Sequence, residues 1–283
     1  MGQMAEHPGR NTDVTPPAVT MSFADPAVAA VLGAVVEGAP LVHCLTNIVV
    51  AGFTANVLLA IGASPAMVEN AQESGEFAAV AGSVLVNLGT LSAERERAMR
   101  AAAAAAHASG TPWVLDPVAV GALAHRTELA RELLRFHPTV IRGNGSEVMS
   151  LAGVRDAAGK GVDSAAGSAD ALDGARWLAR SAGCVVAVSG ATDFVTDGTE
   201  VVAVPGGHLL MTRVTGVGCA LGAVMAACCA VDRRPVVAAA TASAVLAAAG
   251  ERAAAGNPGP GTFAVRLLDA LAALAAEVRP PAT

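Results

Sequence analysis

Residues 214–219, Val-Thr-Gly-Val-Gly-Cys, place a glycine-rich turn and a thiol at the start of an apolar segment. Glycines at 216 and 218 permit backbone conformations that are closed to other residues, so successive N–H groups can converge on an oxyanion. The positive end of a following helix dipole would act at the same place and lower the pKa of Cys219. We therefore expect anion binding and proton removal here. A buried glycine turn with Cys219 as a small apolar side chain fits the same pattern.

Two chemical roles are open for Cys219. As a general base, its thiolate would take the proton of an alcohol that attacks phosphorus. As a nucleophile, it would need a base within reach, for which His43 and His208 are the candidates. The chain has no nucleophile elbow, no P-loop lysine motif and no GxGxxG opening a first βαβ unit. A kinase of this sequence must therefore hold its phosphates on the 216–219 turn.

Charged side chains follow two predicted strands at the places where ligands bind in open α/β sheets. Asp116 and Glu147 can hold a hydrated Mg²⁺ when phosphates supply the remaining ligands, and Arg142 suits a phosphate. Each has a structural alternative. Asp116 before Pro117 also fits an Asx turn, Asn144 and Glu147 also fit a reciprocal helix cap, and a strand-end arginine is often only solvated.

Composition narrows the class of protein. The net charge of −6, without a basic run or aromatic platform, argues against a nucleic-acid partner. Five cysteines without a CxxC pair indicate neither a disulfide framework nor a zinc site, which favours a reducing cytoplasm. Residues 214–231 are uncharged, but their Thr, Gly and Cys content and the Asp-Arg-Arg-Pro turn at 232–235 favour a buried helical hairpin over membrane spans.

Short β-rich runs alternate with longer helical ones, which predicts an α/β fold with a central, mostly parallel sheet and helices on both faces. We expect residues 1–22 to be a mobile extension, residues 23–283 to form one domain, and 155–170 to be a surface loop. Strands are predicted at 41–44, 83–87, 113–115, 139–142 and 185–189, with a hairpin of 194–196 and 201–204 around Asp197-Gly198. Helices are predicted at 26–36, 49–61, 93–108, 127–136, 169–182, 219–230, 236–254 and 263–278.

Eight segments, in order over residues 40–270, resemble the hydroxyethylthiazole kinases of the ribokinase-like superfamily. They are 42–47, 58–67, 87–91, 115–118, 140–147, 160–163, 215–219 and 259–263. The resemblance implies a ribokinase-like fold and ATP-dependent phosphorylation of the alcohol of 4-methyl-5-(2-hydroxyethyl)thiazole in thiamine synthesis or salvage. It further implies Mg²⁺ as cofactor, and a cytoplasmic homotrimer with active sites between subunits, in which residues of the first third of the chain can serve a neighbour's site.

The resemblance also assigns roles to individual residues. Cys219 stands in the place of the Asp base of sugar kinases, and the backbone of residues 216–218 forms the anion hole. The metal positions are Asp116 and Glu147, the ATP positions Arg142, Ser189 and Gly218, and the thiazole pocket Asn47, Met67 and Gly216.

Four positions depart from the family's usual residues: Val217 and Ser189 replace Thr, Ala119 replaces Gly, and Gly52 replaces Asn. Of these, Gly52 has the greatest consequence, because it changes contacts near the alcohol pocket. Phosphoryl transfer depends on alignment and charge neutralisation, so Cys219 should contribute the smaller share of the rate. A Cys219-dependent thiol enzyme, a kinase for another small alcohol and a non-catalytic nucleotide-binding relative are the alternatives.

Overall fold

The computed structural model describes residues 18–154 and 167–279. Within these ranges the chain contains nine strands: β1 (Val19–Thr20), β2 (Leu41–Leu45), β3 (Ser64–Ala66), β4 (Ser83–Asn87), β5 (Trp113–Asp116), β6 (Val140–Asn144), β7 (Val185–Ser189), β8 (Thr192–Thr196) and β9 (Val201–Pro205). They form one sheet in the order β1-β9-β8-β7-β6-β5-β4-β2-β3. Only β8 runs antiparallel to its neighbours.

Two helical layers cover the sheet. One buried cluster is built from α1 (Pro26–Gly38), α2 (Ala51–Ala60), α8 (Val217–Val231), α9 (Pro235–Ala253) and α10 (Pro260–Val278). A second cluster, on the other face, is built from α3 (Ser74–Val80), α4 (Ala93–Ser109), α5 (Ala124–Leu133), α6 (Gly145–Leu151) and α7 (Leu172–Ala182). The mostly parallel sheet with helices on both faces confirms the predicted fold class.

The alanine-rich segments form the interior of the first layer. In α8 and α9, runs of buried alanine keep the side chains short, so the helices pack closely on each other and on the sheet. By length and composition, α9 is the single described helix that could cross a membrane, but 72% of its apolar window is buried inside the protein. This burial matches the predicted hairpin of core helices.

The predicted extension is wrong at its C-terminal end. β1 adds in parallel to β9, and Met21 is buried in the first cluster, so residues 18–22 belong to the sheet layer. Residues 1–17 lie outside the described residues, as do 155–166 of the predicted surface loop. At the described end of that loop, Ser168 is buried and its Oγ donates to the carbonyl of Thr192 at 2.6 Å, so this part is packed.

Parallel pairing brings the carboxyl ends of five strands to one edge of the sheet. Asn87 at the end of β4 is in register with Asp116 at the end of β5. Asn144 at the end of β6 is in register with Ser189 at the end of β7. The polar residues that follow the strands in sequence therefore face one cleft, which is where the predicted site lies.

Candidate active site

The centre of the cleft is a buried carboxylate between an amide and a guanidinium. Asp116 is fully buried, and its Oδ2 accepts a 2.6 Å hydrogen bond from Asn87 Nδ2. Arg142 Nη1 lies 3.7 Å from the same oxygen. The amide of Asn87 is held in this orientation because its Oδ1 accepts the N–H of Gly89. Burial raises the pKa of Asp116 to about 7, with Arg142 opposing and Glu147 adding to the rise.

The other oxygen of this carboxylate, Oδ1, is buried and has no hydrogen-bond partner among the described residues. A buried acceptor without a partner costs free energy unless a water, ligand or ion satisfies it. Asp116 therefore does more than form an Asx turn.

Glu147 has a confirmed structural role. Its Oε2 accepts the N–H of Asn144 at 2.9 Å, while Asn144 Oδ1 accepts the N–H of Glu147 at 3.0 Å. This reciprocal cap begins α6. Glu147 Oε1 accepts a further hydrogen bond from the N–H of Ala119. The side chain thus joins the ends of β5 and β6 and adds negative charge beside Asp116.

The three residues predicted to bind ATP line one cavity of about 520 Å³. Arg142 donates from Nε and Nη2 to Ser189 Oγ at 3.1 and 2.9 Å. A Cβ on Gly218 would lie 3.1 Å from Arg142 Nη1, so the guanidinium packs directly under the glycine turn. Burial tends to lower the pKa of Arg142, but the carboxylates of Asp116 and Glu147 raise it, so the cation persists. Arg142, Ser189 and Gly218 are thereby brought together.

The glycine turn has the expected backbone. Gly216 caps the N-terminus of α8 with a φ of 96°, and its carbonyl accepts the N–H of Ala220. A Cβ there would lie 2.7 Å from Val50 Cβ, so the chain after β2 packs tightly against the turn. α8 begins at Val217, two residues before the predicted start, and its first N–H groups are therefore available to an anion.

The expectation of a lowered Cys219 pKa is wrong. Burial, followed by the negative charge of Asp116, raises the pKa of this thiol to about 11, although Arg142 and the Asn87 amide act in the opposite direction. Desolvation of the sulfur is the largest of these effects. Cys219 is still the cysteine best placed for chemistry, because the other four are buried away from the cleft.

Asn47 and Met67 lie on the loops that follow β2 and β3. The Asn47 side chain caps a 3₁₀ turn through Val49 N and packs on Gly89, where a Cβ would lie 2.7 Å from its Nδ2. The N–H of Gly89 donates to Asn87 Oδ1, and Asn87 in turn bonds Asp116. Asn47 is therefore linked through Gly89 and Asn87 to the centre of its own chain's cleft. Met67 follows the edge strand β3 and is half-buried. The Asn47 side of the predicted thiazole pocket thus meets the catalytic cleft, and the Met67 side lies at the edge of the sheet.

Both candidate histidines bond backbone groups through one ring nitrogen. His43 is fully buried, its Nε2 bonds the carbonyl of Val68 at 2.7 Å, and burial lowers its pKa. His208 Nδ1 accepts the N–H of Leu210 and caps a short 3₁₀ segment. Each imidazole therefore has a structural role through one ring nitrogen, and His208 also lines the cavity that contains Arg142 and Gly218.

Two polar residues of the nucleotide cavity were not predicted. Asp193 accepts from Ser243 Oγ at 2.8 Å and from Gly190 N at 3.0 Å, and burial raises its pKa. Both line the cavity beside Arg142. A signal was available in the sequence, because Ser243 interrupts a long alanine-rich helix where an apolar residue would otherwise pack.

Comparison with known proteins decides the family. A sequence profile described as the Hydroxyethylthiazole kinase family matches residues 32–277. The hydroxyethylthiazole kinase of Leptospira interrogans is 56% identical over 238 residues, covering 84% of this chain and 89% of that protein. The chain belongs to the hydroxyethylthiazole kinase family. The predicted family and enzyme class are thereby confirmed.

Solved structures support the same fold. The structure of a hydroxyethylthiazole kinase protein from Pyrococcus horikoshii OT3 superposes with a TM-score of 0.80 at 38% identity, covering 87% of this chain and 92% of that one. A ribokinase-like superfamily protein from Enterococcus faecalis superposes with a TM-score of 0.59 at 16% identity, covering 96% and 92%. That more distant likeness shows the ribokinase-like fold alone.

The structure shows the backbone conformation or the surroundings of two residues that depart from the family's usual pattern. Ala119 has a φ of 64°, a conformation that suits the more common glycine, so this chain accepts strain at the residue whose N–H binds Glu147. Gly52 is exposed, and a Cβ there would meet nothing within 4 Å. The space for a larger side chain at position 52 is therefore open in this protein.

Proposed function

We propose that this hydroxyethylthiazole kinase transfers the γ-phosphoryl group of ATP to the hydroxyl of 4-methyl-5-(2-hydroxyethyl)thiazole through the residues of this cleft. The observation that carries the residue assignment is the convergence of Asp116, Arg142 and the Gly216–Gly218 turn at the carboxyl edge of the sheet, with Cys219 beside them. Phosphoryl transfer requires in-line alignment and neutralisation of negative charge more than covalent help. These groups supply both.

Arg142, Ser189 and Gly218 hold the phosphates of ATP in the 520 Å³ cavity. Arg142 is fixed in place by Ser189 before nucleotide binds, so little reorganisation is needed when the phosphates arrive. The N–H groups at the start of α8 lie at the neighbouring edge and stabilise the charge of the migrating phosphoryl group. Binding and transition-state stabilisation thus share one backbone turn.

Asp116 and Glu147 fit a hydrated Mg²⁺. Asp116 Oδ1 is buried without a partner, and the oxygens of Glu147 keep lone pairs beyond their backbone hydrogen bonds. Two carboxylates are enough for such an ion, because Mg²⁺ takes its remaining ligands from phosphates and water. When bound, Mg²⁺ would neutralise charge on the phosphates.

The thiolate form of Cys219 accepts the proton of the substrate alcohol and becomes the thiol. With a thiol pKa of about 11 in the free protein, the thiolate is a minor species near neutral pH. A strong base is not required, because the alcohol becomes acidic as its oxygen bonds to phosphorus late in a loose transition state. Cys219 therefore makes the smaller contribution to the rate, while alignment and charge neutralisation make the larger one.

Asn47, Met67 and Gly216 form the thiazole pocket in this proposal. Next to Asn47, Ile48 is 58% and Val49 69% exposed, which suits a surface that another subunit covers. We therefore include in the proposal a homotrimer with active sites between subunits. The five free cysteines accord with a reducing cytoplasm.

The test is turnover with defined substrates. Purified protein incubated with ATP, MgCl₂ and the thiazole alcohol should yield ADP and the thiazole phosphomonoester in equal amounts, detected by coupled ADP assay and mass spectrometry. EDTA should stop the reaction. Absence of thiazole-dependent ADP release from folded protein that binds ATP would contradict the proposal. Sedimentation velocity tests the trimer separately.

A further inference from the structure

The segment that leads into α4, together with the first turn of that helix, contacts both loops of the proposed thiazole pocket. On the β2 side, Thr90 Oγ1 accepts the N–H of Ile48 at 3.0 Å, and Gly89 packs on Asn47. On the β3 side, Glu94 Oε1 accepts the N–H of Ala71 at 3.3 Å. One short stretch, residues 89–95, thus holds two loops that come from different strands.

Arg95 is the side chain that joins the two loops to each other. Its side chain is 11% exposed, and Nη1 lies 2.5 Å from Glu69 Oε2, two residues beyond Met67. Nη2 donates to the carbonyl of Thr46, the residue directly before Asn47. Only a planar guanidinium presents donors in a fixed fork that reaches two such acceptors at once.

The loop after β3 is also fixed from its other side. His43 Nε2 and Ser74 Oγ both bond the carbonyl of Val68, at 2.7 and 3.2 Å. Val68 lies between Met67 and Glu69, so these bonds and the Arg95–Glu69 ion pair together fix the loop on the C-terminal side of Met67. Arg95 thus contributes to the separation of the two loops that carry Asn47 and Met67, through the residues next to them.

We propose that Arg95 is a positioning residue for recognition of the thiazole alcohol, acting through Thr46 and Glu69 on the placement of Asn47 and Met67. The inference rests on the proposed thiazole pocket. It predicts a selective effect, because the nucleotide cavity lies beyond β5 on the other side of the cleft and shares no residue with this network. Loss of Arg95 should weaken thiazole binding and leave nucleotide binding intact.

The experiment compares Arg95→Met and Arg95→Lys with Arg100→Met. Arg100 lies on the same helix and binds Glu132 and Glu96, so its replacement also breaks a half-buried ion pair but touches neither loop. For Arg95→Met we expect the KM for the thiazole alcohol to rise about tenfold or more, with the KM for ATP within twofold of wild type. Arg95→Lys, which keeps one contact, should fall between, and Arg100→Met should leave both constants near wild type.

Glu69→Gln removes the charge of the ion-pair partner of Arg95 and tests the same inference if Arg95→Met folds poorly. It should also raise the KM for the thiazole alcohol without changing the Kd of a non-hydrolysable ATP analogue. Unchanged thiazole KM in both Arg95→Lys and Glu69→Gln, or an equal rise in the two substrate KM values, would overturn the inference. If wild-type protein does not phosphorylate the thiazole alcohol, the proposed function itself fails, and the two failures are thus distinct.

Discussion

The two halves of the cleft are built differently. In the proposed phosphate half, between β5 and β7, charged side chains bond neutral polar side chains directly, as Arg142 does with Ser189 and Asp116 with Asn87. In the thiazole half, Asn47 and Met67 are half-buried, and Arg95 of α4 bonds Thr46 and Glu69 in the loops that carry them. In the proposed function, the charges of the phosphate half provide electrostatic stabilisation for catalysis, while the thiazole half determines the shape of the substrate pocket. Substitutions in the two halves should therefore alter different kinetic constants.

The largest effect is expected for Asp116→Asn, which removes a charge from the phosphate half. We expect kcat to fall by about 10³-fold or more, since the carboxylate proposed to hold Mg²⁺, which would neutralise the phosphates, is lost. Stability should change in the opposite sense. Because the pKa of Asp116 rises from 3.8 unfolded to about 7 folded, wild-type stability declines as pH rises between these values.

Relative to wild type in EDTA, Asp116→Asn should accordingly be more stable at pH 8 than at pH 5. Urea unfolding at both pH values measures this difference. A variant that is inactive but, relative to wild type, no more stable at pH 8 than at pH 5 would show that the buried charge is better satisfied than the geometry indicates.

The second-largest effect is expected at Arg142, which lies in the same phosphate half. Arg142→Met should lower kcat/KM for ATP by about 10²- to 10³-fold, as expected for loss of a pre-positioned cationic donor. The KM for the thiazole alcohol should change little. Ser189→Thr keeps the hydroxyl that orients Arg142 and serves as the matched control, with near wild-type activity. An Arg142→Met enzyme with normal ATP kinetics would remove Arg142 from the phosphate site.

A smaller loss is expected at Cys219. Cys219→Ala should lower kcat by about 10²-fold, at the lower end for a general base, and Cys219→Asp should retain measurable activity because a carboxylate also accepts a proton. Stopped-time kinetics with mass spectrometry of the intact protein gives both the rates and any covalent adduct. An adduct on wild-type Cys219, together with a dead Cys219→Asp variant, would favour the thiol mechanism instead.

The smallest effect is a steric one in the thiazole half. An alanine methyl at position 89 would lie 2.7 Å from Asn47 Nδ2, whereas one at position 52 would meet no atom within 4 Å. Gly89→Ala should therefore raise the KM for the thiazole alcohol about tenfold and spare the KM for ATP, while Gly52→Ala stays near wild type. If Gly89→Ala impaired ATP binding instead, the two halves would not be independent.

Much of the fold could be predicted, because apolar runs and their glycine ends are local. The strands at 83–87 and 185–189 agree with the structure, and most helices differ by one to three residues at their ends. The short elements β1, β3 and α3 were missed, since two to seven residues carry too little periodicity. β1 and β3 are the edge strands of the sheet and pair with β9 and β2, partners that are distant or separated by a helix in sequence.

The residues of the site likewise fall into those that the sequence could predict and those that it could not. The roles of Asp116 and Arg142 were predicted from their position at strand ends, that of Cys219 from the glycine-rich turn before a helix, and all three from family resemblance. Arg95 gave no signal, because a charged residue in the first turns of an amphipathic helix usually faces solvent. Its carbonyl partner at Thr46 lies 49 residues away in sequence. A backbone acceptor has no side-chain identity that a pattern could reveal.

The sequence alone determined which chemical groups are present, that glycines shape the turn at 216–218, and where along the chain each polar residue follows a strand. These properties depend on residue type and local spacing. Only the tertiary structure revealed the raised pKa values of Cys219 and Asp116. It also revealed the contacts through which Arg95 joins the loops that carry Asn47 and Met67. Desolvation and long-range contacts arise only when distant segments exclude water together, which is why the helix dipole at Cys219 pointed to the wrong pKa.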